Sequence, residues 1–309
     1  MDIDAIAAEH ARRLSGADAL IPRPRLWTDG QAGTPLRARD GLALATRSVV
    51  RTGTPAALWR PLVEYRLDVR LAGTDPSATL SALLARWDEH LAEAEAVDWD
   101  SAAVVTRPSR DTVGTSELLR RGFAPTRVLA VRPADRLGAG PPAVPGVRIR
   151  HAEAADLPTL VRLRQELHSY DAQFGVVTTR PDEHDLVTTE TRDLLADADS
   201  ATPSLWIAEL YGRPLGFVEV QLPPAAKWVS EYVTADRVGY LASLHVAEEA
   251  RSTGVGSALA AHAHQLFDEA GVEAVLLHHA QANPRSTPFW YAQGYRPLWS
   301  SWYRRPAIG

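Results

Sequence analysis

Across the second half of the chain the apolar positions change period in an order that can be read element by element. VRIRHA (147–152) alternates as a half-buried strand, and 155–174 carries apolar residues at helical spacing behind Asp156, a residue suited to an N-cap. A second helix is predicted around 182–197. SLWIAEL and LGFVEVQL, joined at YGRP, form an antiparallel hairpin, and GYLASLHV (239–246) is a further strand. A glycine-containing loop, an alanine-rich helix closed by Gly271, the apolar strand 272–279, a short helix near 285–293 and a strand from Tyr295 complete the series. The predicted order is β-α-α-β-β-β, loop, α-β-α-β, an α/β (α+β) domain with a mixed, mostly antiparallel central sheet flanked by helices.

The stretch RPADRLGAGPPAVPG has the Pro, Gly and Ala content of an extended connector, which divides the chain into 1–132, a linker 133–146 and a second domain 147–309. The end of the first half echoes the end of the second. AVVTRPSRDTVGTSELLRRGFAP (103–125) can be laid on AVLLHHAQANPRSTPFWYAQGYRP (274–297), with Asp111 on Asn283, Gly122 on Gly294, Phe123 on Tyr295 and Pro125 on Pro297. The reading is an internal duplication.

Composition narrows the chemistry. The chain has 309 residues, 45% of them hydrophobic and 23% charged, the balance of a soluble globular protein. It has no cysteine, so thiol nucleophiles, disulfides and thiolate metal sites are excluded. A net charge of −5 offers nucleic acid or anionic membrane no general attraction. Asp, Glu and Arg within the first 20 residues interrupt any signal-peptide core, which predicts a cytoplasmic protein.

RSTGVG (251–256) stands between an apolar strand and the alanine-rich helix. Successive backbone N–H groups at the positive end of a helix dipole suit phosphate oxygens, and a side chain at Gly254 or Gly256 would hold a pyrophosphate away from them. Such a pattern alone recurs roughly once in every few chains of this length. Its setting adds weight: an apolar strand before it, a helix and strand after it, then Asn283, Ser286, Phe289, Trp290, Gly294 and Tyr295.

LHVAEEARSTGVGSAL followed by NPRSTPFWYAQGY resembles the GCN5-related N-acetyltransferase (GNAT) superfamily, over about 147–303. The resemblance implies an acetyl-CoA, or other acyl-CoA, co-substrate. Arg251, Ser252, Thr253, Gly254, Val255 and Gly256 would bind its pyrophosphate, with Asn283, Ser286 and Trp290 beside the pantetheine arm. It also implies that the strand ending at Val246 splays from its neighbour, and that an amide near Leu244 to Val246 polarises the thioester carbonyl.

The family's base positions correspond to Tyr240 and Ala242, so the usual carboxylate or histidine is missing. Tyr240 itself, Glu219, His245, His278 and His279 are the substitutes. The His278-His279 pair lacks a third ligand at suitable spacing, so no metal is expected. The family's thiolate-protonating tyrosine falls on Trp290, which leaves the adjacent Tyr291 as candidate acid.

In the first half Arg70–Pro76 is the nearest counterpart of the glycine loop. Asp75 puts a carboxylate where a phosphate would lie and Pro76 removes an amide, which predicts a degenerate GNAT-like copy that binds no CoA. The reading is N-acyl transfer to a primary amine of a small molecule or peptide. A non-catalytic acyl-CoA-binding scaffold is the rival; aminoacyl transfer from tRNA is disfavoured by the acidic balance and the intact loop. Trp206, Trp228, Tyr232 and Tyr240 could line an aromatic acceptor pocket. Acceptor identity, acyl length and oligomeric state, a homodimer included, are not legible.

Overall fold

The computed structural model describes residues 2–25, 27, 32–93, 99–133, 144–196 and 203–308. The predicted connector lies outside the described residues over 134–143, as does residue 197 of the second predicted helix.

The elements run α1 (Ile3–Ala17), β1 (Thr34–Ala38), β2 (Gly41–Val49), β3 (Val63–Leu71), α2 (Pro76–Ala92), β4 (Ser101–Pro108), α3 (Thr115–Arg120), β5 (Ala124–Pro133), β6 (Val147–His151), α4 (Leu157–Asp171), α5 (Glu183–Ala196), β7 (Leu205–Leu210), β8 (Arg213–Gln221), β9 (Val238–Val246), α6 (Val255–Glu269), β10 (Ala274–Ala280), α7 (Ser286–Ala292) and β11 (Arg296–Arg304). They form two compact units. The first holds residues 1–52, 60–128 and 297–309; the second holds 53–59 and 129–296.

In the first unit the strand order is β1-β2-β3-β4-β11. The pairs β1–β2, β2–β3 and β4–β11 are antiparallel, and β3–β4 is parallel across the α2 crossover. Leu80, Leu83, Leu84, Trp87 and Leu91 recur at helical spacing along α2 and bury against Tyr65, Leu67 and Val69 of β3.

In the second unit the order is β5-β10-β9-β8-β7-β6, with β5 entering through residues 129–133. β6 to β9 is an antiparallel meander, and β9–α6–β10 is a parallel crossover. The β7–β8 turn is tight because Tyr211 and Gly212 both take positive φ, 49° and 79°, the geometry that suits the strands' right-handed twist. Asp156 is the N-cap of α4, as expected, although its side chain caps no amide of α4. It accepts from the Glu153 amide at 2.8 Å and from Arg150, and so fixes the turn that leads into α4. Gly271, with φ 65°, follows α6, and the Val272 amide reaches back to Phe267.

The two units repeat each other in detail. Asp111 Oδ1 accepts from the Val113 amide and Asn283 Oδ1 from the Arg285 amide, two residues on in both cases. Gly122 and Gly294 close α3 and α7 with φ of 76° and 87°, and Phe123 and Tyr295 behind them are buried. At the other end Gly41 stands opposite Leu71, and Gly216 opposite Val246. A Cβ on Gly41 would strike Thr79 and Leu83 of α2; one on Gly216 would meet Val255 and Leu259 of α6. These contacts equate Thr79 with Val255, and therefore set 75–80, not 70–76, against 251–256. α2 starts three residues before Thr79, whereas α6 starts at Val255 itself. A turn of helix thus fills the place of the glycine loop in the first unit.

Candidate active site

β9 and β10 pair only over Val238–Tyr240 and Ala274–Leu276, so their C-terminal halves part. β9 also carries a bulge: Glu219 faces Ser243 and Val220 faces Leu241, which leaves Ala242 without an opposite number. Beyond the bulge the Ala247 amide donates to Leu215 O at 2.8 Å. Ladder alternation then turns the amides of Val246 and Leu244 away from β8, toward the side on which β10 has separated.

At the same mouth lies the N-terminus of α6. Gly254 is its N-cap with φ 92°, and no side chain caps it. Ser252 also has positive φ, 63°, while Thr253 Oγ1 donates to Ala250 O at 2.6 Å. The glycines differ in what they require. At Gly254 the dihedral disfavours any side chain, and an added Cβ would lie 2.9 Å from Val144; at Gly256 a Cβ would make ordinary 3.6 Å contacts with Phe289 and Val246. Arg251 pairs with Glu248 at 3.1 Å and lies over Tyr170, whose ring also carries Arg285 at 5.0 Å. The motif reading missed Tyr170 and Arg285. Neither is in the loop pattern, and only the fold carries the end of α4 to both arginines.

Asn283 is committed on both polar atoms: Oδ1 accepts from the Arg285 and Ser286 amides at 3.0 Å and Nδ2 donates to Asp171 at 3.2 Å. It holds the start of α7, where Ser286 lies, against the end of α4. Trp290 turns inward between Phe289 and Tyr295. Tyr291, one position on, is 38% exposed and stands edge-on to His279. His279 is buried, with Nδ1 at 3.2 Å from Thr287 Oγ1; burial lowers its pKa and raises that of Tyr291.

The base candidates separate by environment. Glu219 is buried and held by Arg164 at 2.8 Å, and Arg164 also binds Glu190. His245 lies 3.3 Å from Glu166, and burial holds its pKa below the usual value. Tyr240 and His278 meet each other, Oη to Nδ1, at 2.9 Å. A Cβ on Gly239 would run into Phe267 of α6, so Tyr240, the next residue, projects from the opposite face. Trp228 covers the pair, edge-on to Tyr240 and stacked on His278, with Nε1 donating to Gln221 at 2.8 Å. Trp228 is 49% exposed and His278 half-buried, whereas Tyr240 is buried beneath them. Of the other aromatics, Trp206 packs between His151 and His262.

The environment of Glu219 gives a direct expectation. Arg164→Leu strips a buried carboxylate of its nearest counter-charge and should cost about 3–5 kcal/mol in urea unfolding. A loss below about 1 kcal/mol would return Glu219 to the list of accessible bases.

Residues 166–295 match the model of the Acetyltransferase (GNAT) family. A GCN5-related N-acetyltransferase from Sphaerobacter thermophilus superposes with TM-score 0.55 at 15% identity, over 87% of this chain and 78% of that one. A tandem GNAT protein from the clavulanic acid biosynthesis pathway superposes with TM-score 0.50 at 15% identity, over 100% of this chain and 97% of that one. Identities this low speak for the fold and not for a substrate. The sequence matches no curated relative. Among the described residues no helix is long and apolar enough to cross a membrane, and no group of three or more His, Asp or Glu side chains could hold a metal ion.

Proposed function

We propose that the protein transfers an acyl group, acetyl in the first instance, from acyl-CoA to a primary amine of a small molecule or peptide, by direct attack in a ternary complex. The observation that carries this reading is the parting of β9 from β10 beside an uncapped α6 N-terminus. It offers backbone donors both to a phosphate and to a thioester carbonyl within one groove.

The co-substrate supplies the activated acyl carbon. Amides of residues 252–256 and the Arg251 guanidinium meet the pyrophosphate, and the Leu244 and Val246 amides face the carbonyl oxygen as it gains charge. Tyr240 and His278 lie on the open face where the strands separate. The Tyr240–His278 pair, joined Oη to Nδ1 at 2.9 Å, takes the amine's proton. Tyr291, beside His279, is the hydroxyl closest in chain position to the expected acid and protonates the departing thiolate.

The test is release of free thiol from acetyl-CoA by the full-length protein, against a panel of aliphatic, aromatic and sugar amines. Turnover with at least one amine supports the reading. Tight acetyl-CoA binding with no turnover across the panel would favour the scaffold, a reading to which the paired states of Glu219 and His245 give some support.

A further inference from the structure

The first unit carries the same groove in outline. β3 and β4 pair only over Val63–Arg66 and Ser101–Val104, so they too part toward their C-terminal ends. Ala72 donates to Asp40 O at 3.0 Å, as Ala247 does to Leu215 O, which turns the Leu71 amide toward the gap as the Val246 amide is turned in the second unit. In the first unit those donors are already engaged.

His10 Nδ1 accepts from the Leu71 amide at 3.2 Å and from Arg13 Nη2 at 2.9 Å, which requires that nitrogen to be unprotonated; burial keeps the ring neutral, with its pKa lowered to about 3. Glu9 Oε1 accepts from the Gly73 amide at 2.9 Å. Asp75 Oδ1 accepts from the Ala78 amide at 2.9 Å, at the helix end that α6 leaves uncapped. Arg13 pairs with Asp111, the counterpart of Asn283, which Arg107 also binds. Glu9, His10 and Arg13 lie on one side of α1, at i, i+1 and i+4, while Ile6 packs on Leu42 and Ala72.

We infer that α1 is the resident ligand of a second acyl-CoA-type groove, in the first unit, with His10 taking the part of a pantetheine acceptor at the Leu71 amide and Glu9 holding the Gly73 amide just beyond it. This goes beyond the loss of the glycine loop: the groove is not merely worn, it is occupied from within. One acyl-CoA is therefore bound per chain. The inference rests on the proposed use of the equivalent groove in the second unit.

Two mild substitutions in the full-length protein test it, because each should release one amide. Glu9→Met should speed hydrogen exchange at Gly73, and His10→Leu at Leu71, each by about fivefold, the factor that one ordinary net hydrogen bond represents. The Val50 amide, bonded to Leu62 O in the same unit, should not change in either variant and reports intact folding. Unchanged exchange at Gly73 and Leu71 would overturn the assignment of α1, as would two acetyl-CoA molecules per wild-type chain by calorimetry. No acetyl-CoA bound at all would sink the reading of the second unit, while the exchange result would still decide whether α1 holds the first unit's amides.

Discussion

Gly254→Val is expected to weaken acetyl-CoA binding to the full-length protein by about 100-fold or more, measured calorimetrically, while Gly256→Ala binds within about threefold of wild type. The difference follows from local geometry. A left-handed backbone costs an L-residue about 1–2 kcal/mol, and Gly254 has φ 92° with Val144 against the added side chain. Relief of that strain must rotate the N-terminal amides of α6, and several donors are lost together. Gly256 is helical, and the 3.6 Å spaces around its missing Cβ accept a methyl group. Arg251→Glu should match the valine variant by another route, because it replaces a cation beside the loop with a carboxylate. Equal affinities for wild type, Gly254→Val and Arg251→Glu would remove the loop from the site.

The second large effect is expected on turnover rather than binding. Tyr240→Phe and His278→Ala should each lower kcat by about 100-fold or more, the range for loss of a positioned general base or its partner, with acetyl-CoA affinity unchanged. The double variant should be little worse than either single one, because two groups that act through one 2.9 Å hydrogen bond fail together. His245→Ala should change kcat far less, since His245 is turned to Glu166. If His245→Ala abolishes activity and the Tyr240 and His278 variants keep it, the proton leaves by the other route.

Much of this was legible in the sequence because period and punctuation carry it. The hairpin at Tyr211-Gly212, the helix closed by Gly271 and the repeat of Asp111 and Gly122 in Asn283 and Gly294 rest on spacing and on residues with special φ. The site was less legible. Glu219, His245 and Tyr240 looked alike as isolated polar residues on strands; Arg164 and Glu166 on α4 distinguish them, and no local pattern links α4 to β8 or β9. In the first half Gly73 mimics the loop glycine and suggests 70–76, although helix packing against Gly41 sets the equivalence at 75–80.

The exchange of end strands has a practical consequence. β11, the last strand of the chain, pairs with β4 and lies, apart from Arg296, in the first unit, whereas residues 129–133 of β5 lie in the second. No single cut can therefore release either unit whole. A fragment starting at 147 keeps the glycine loop but loses the strand beside β10, and carries β11 with nothing to pair against. A fragment ending at 132 leaves the open edge of β4 bare, a template for another chain. Each unit is built from segments on both sides of residue 128, so neither corresponds to one continuous piece of the sequence.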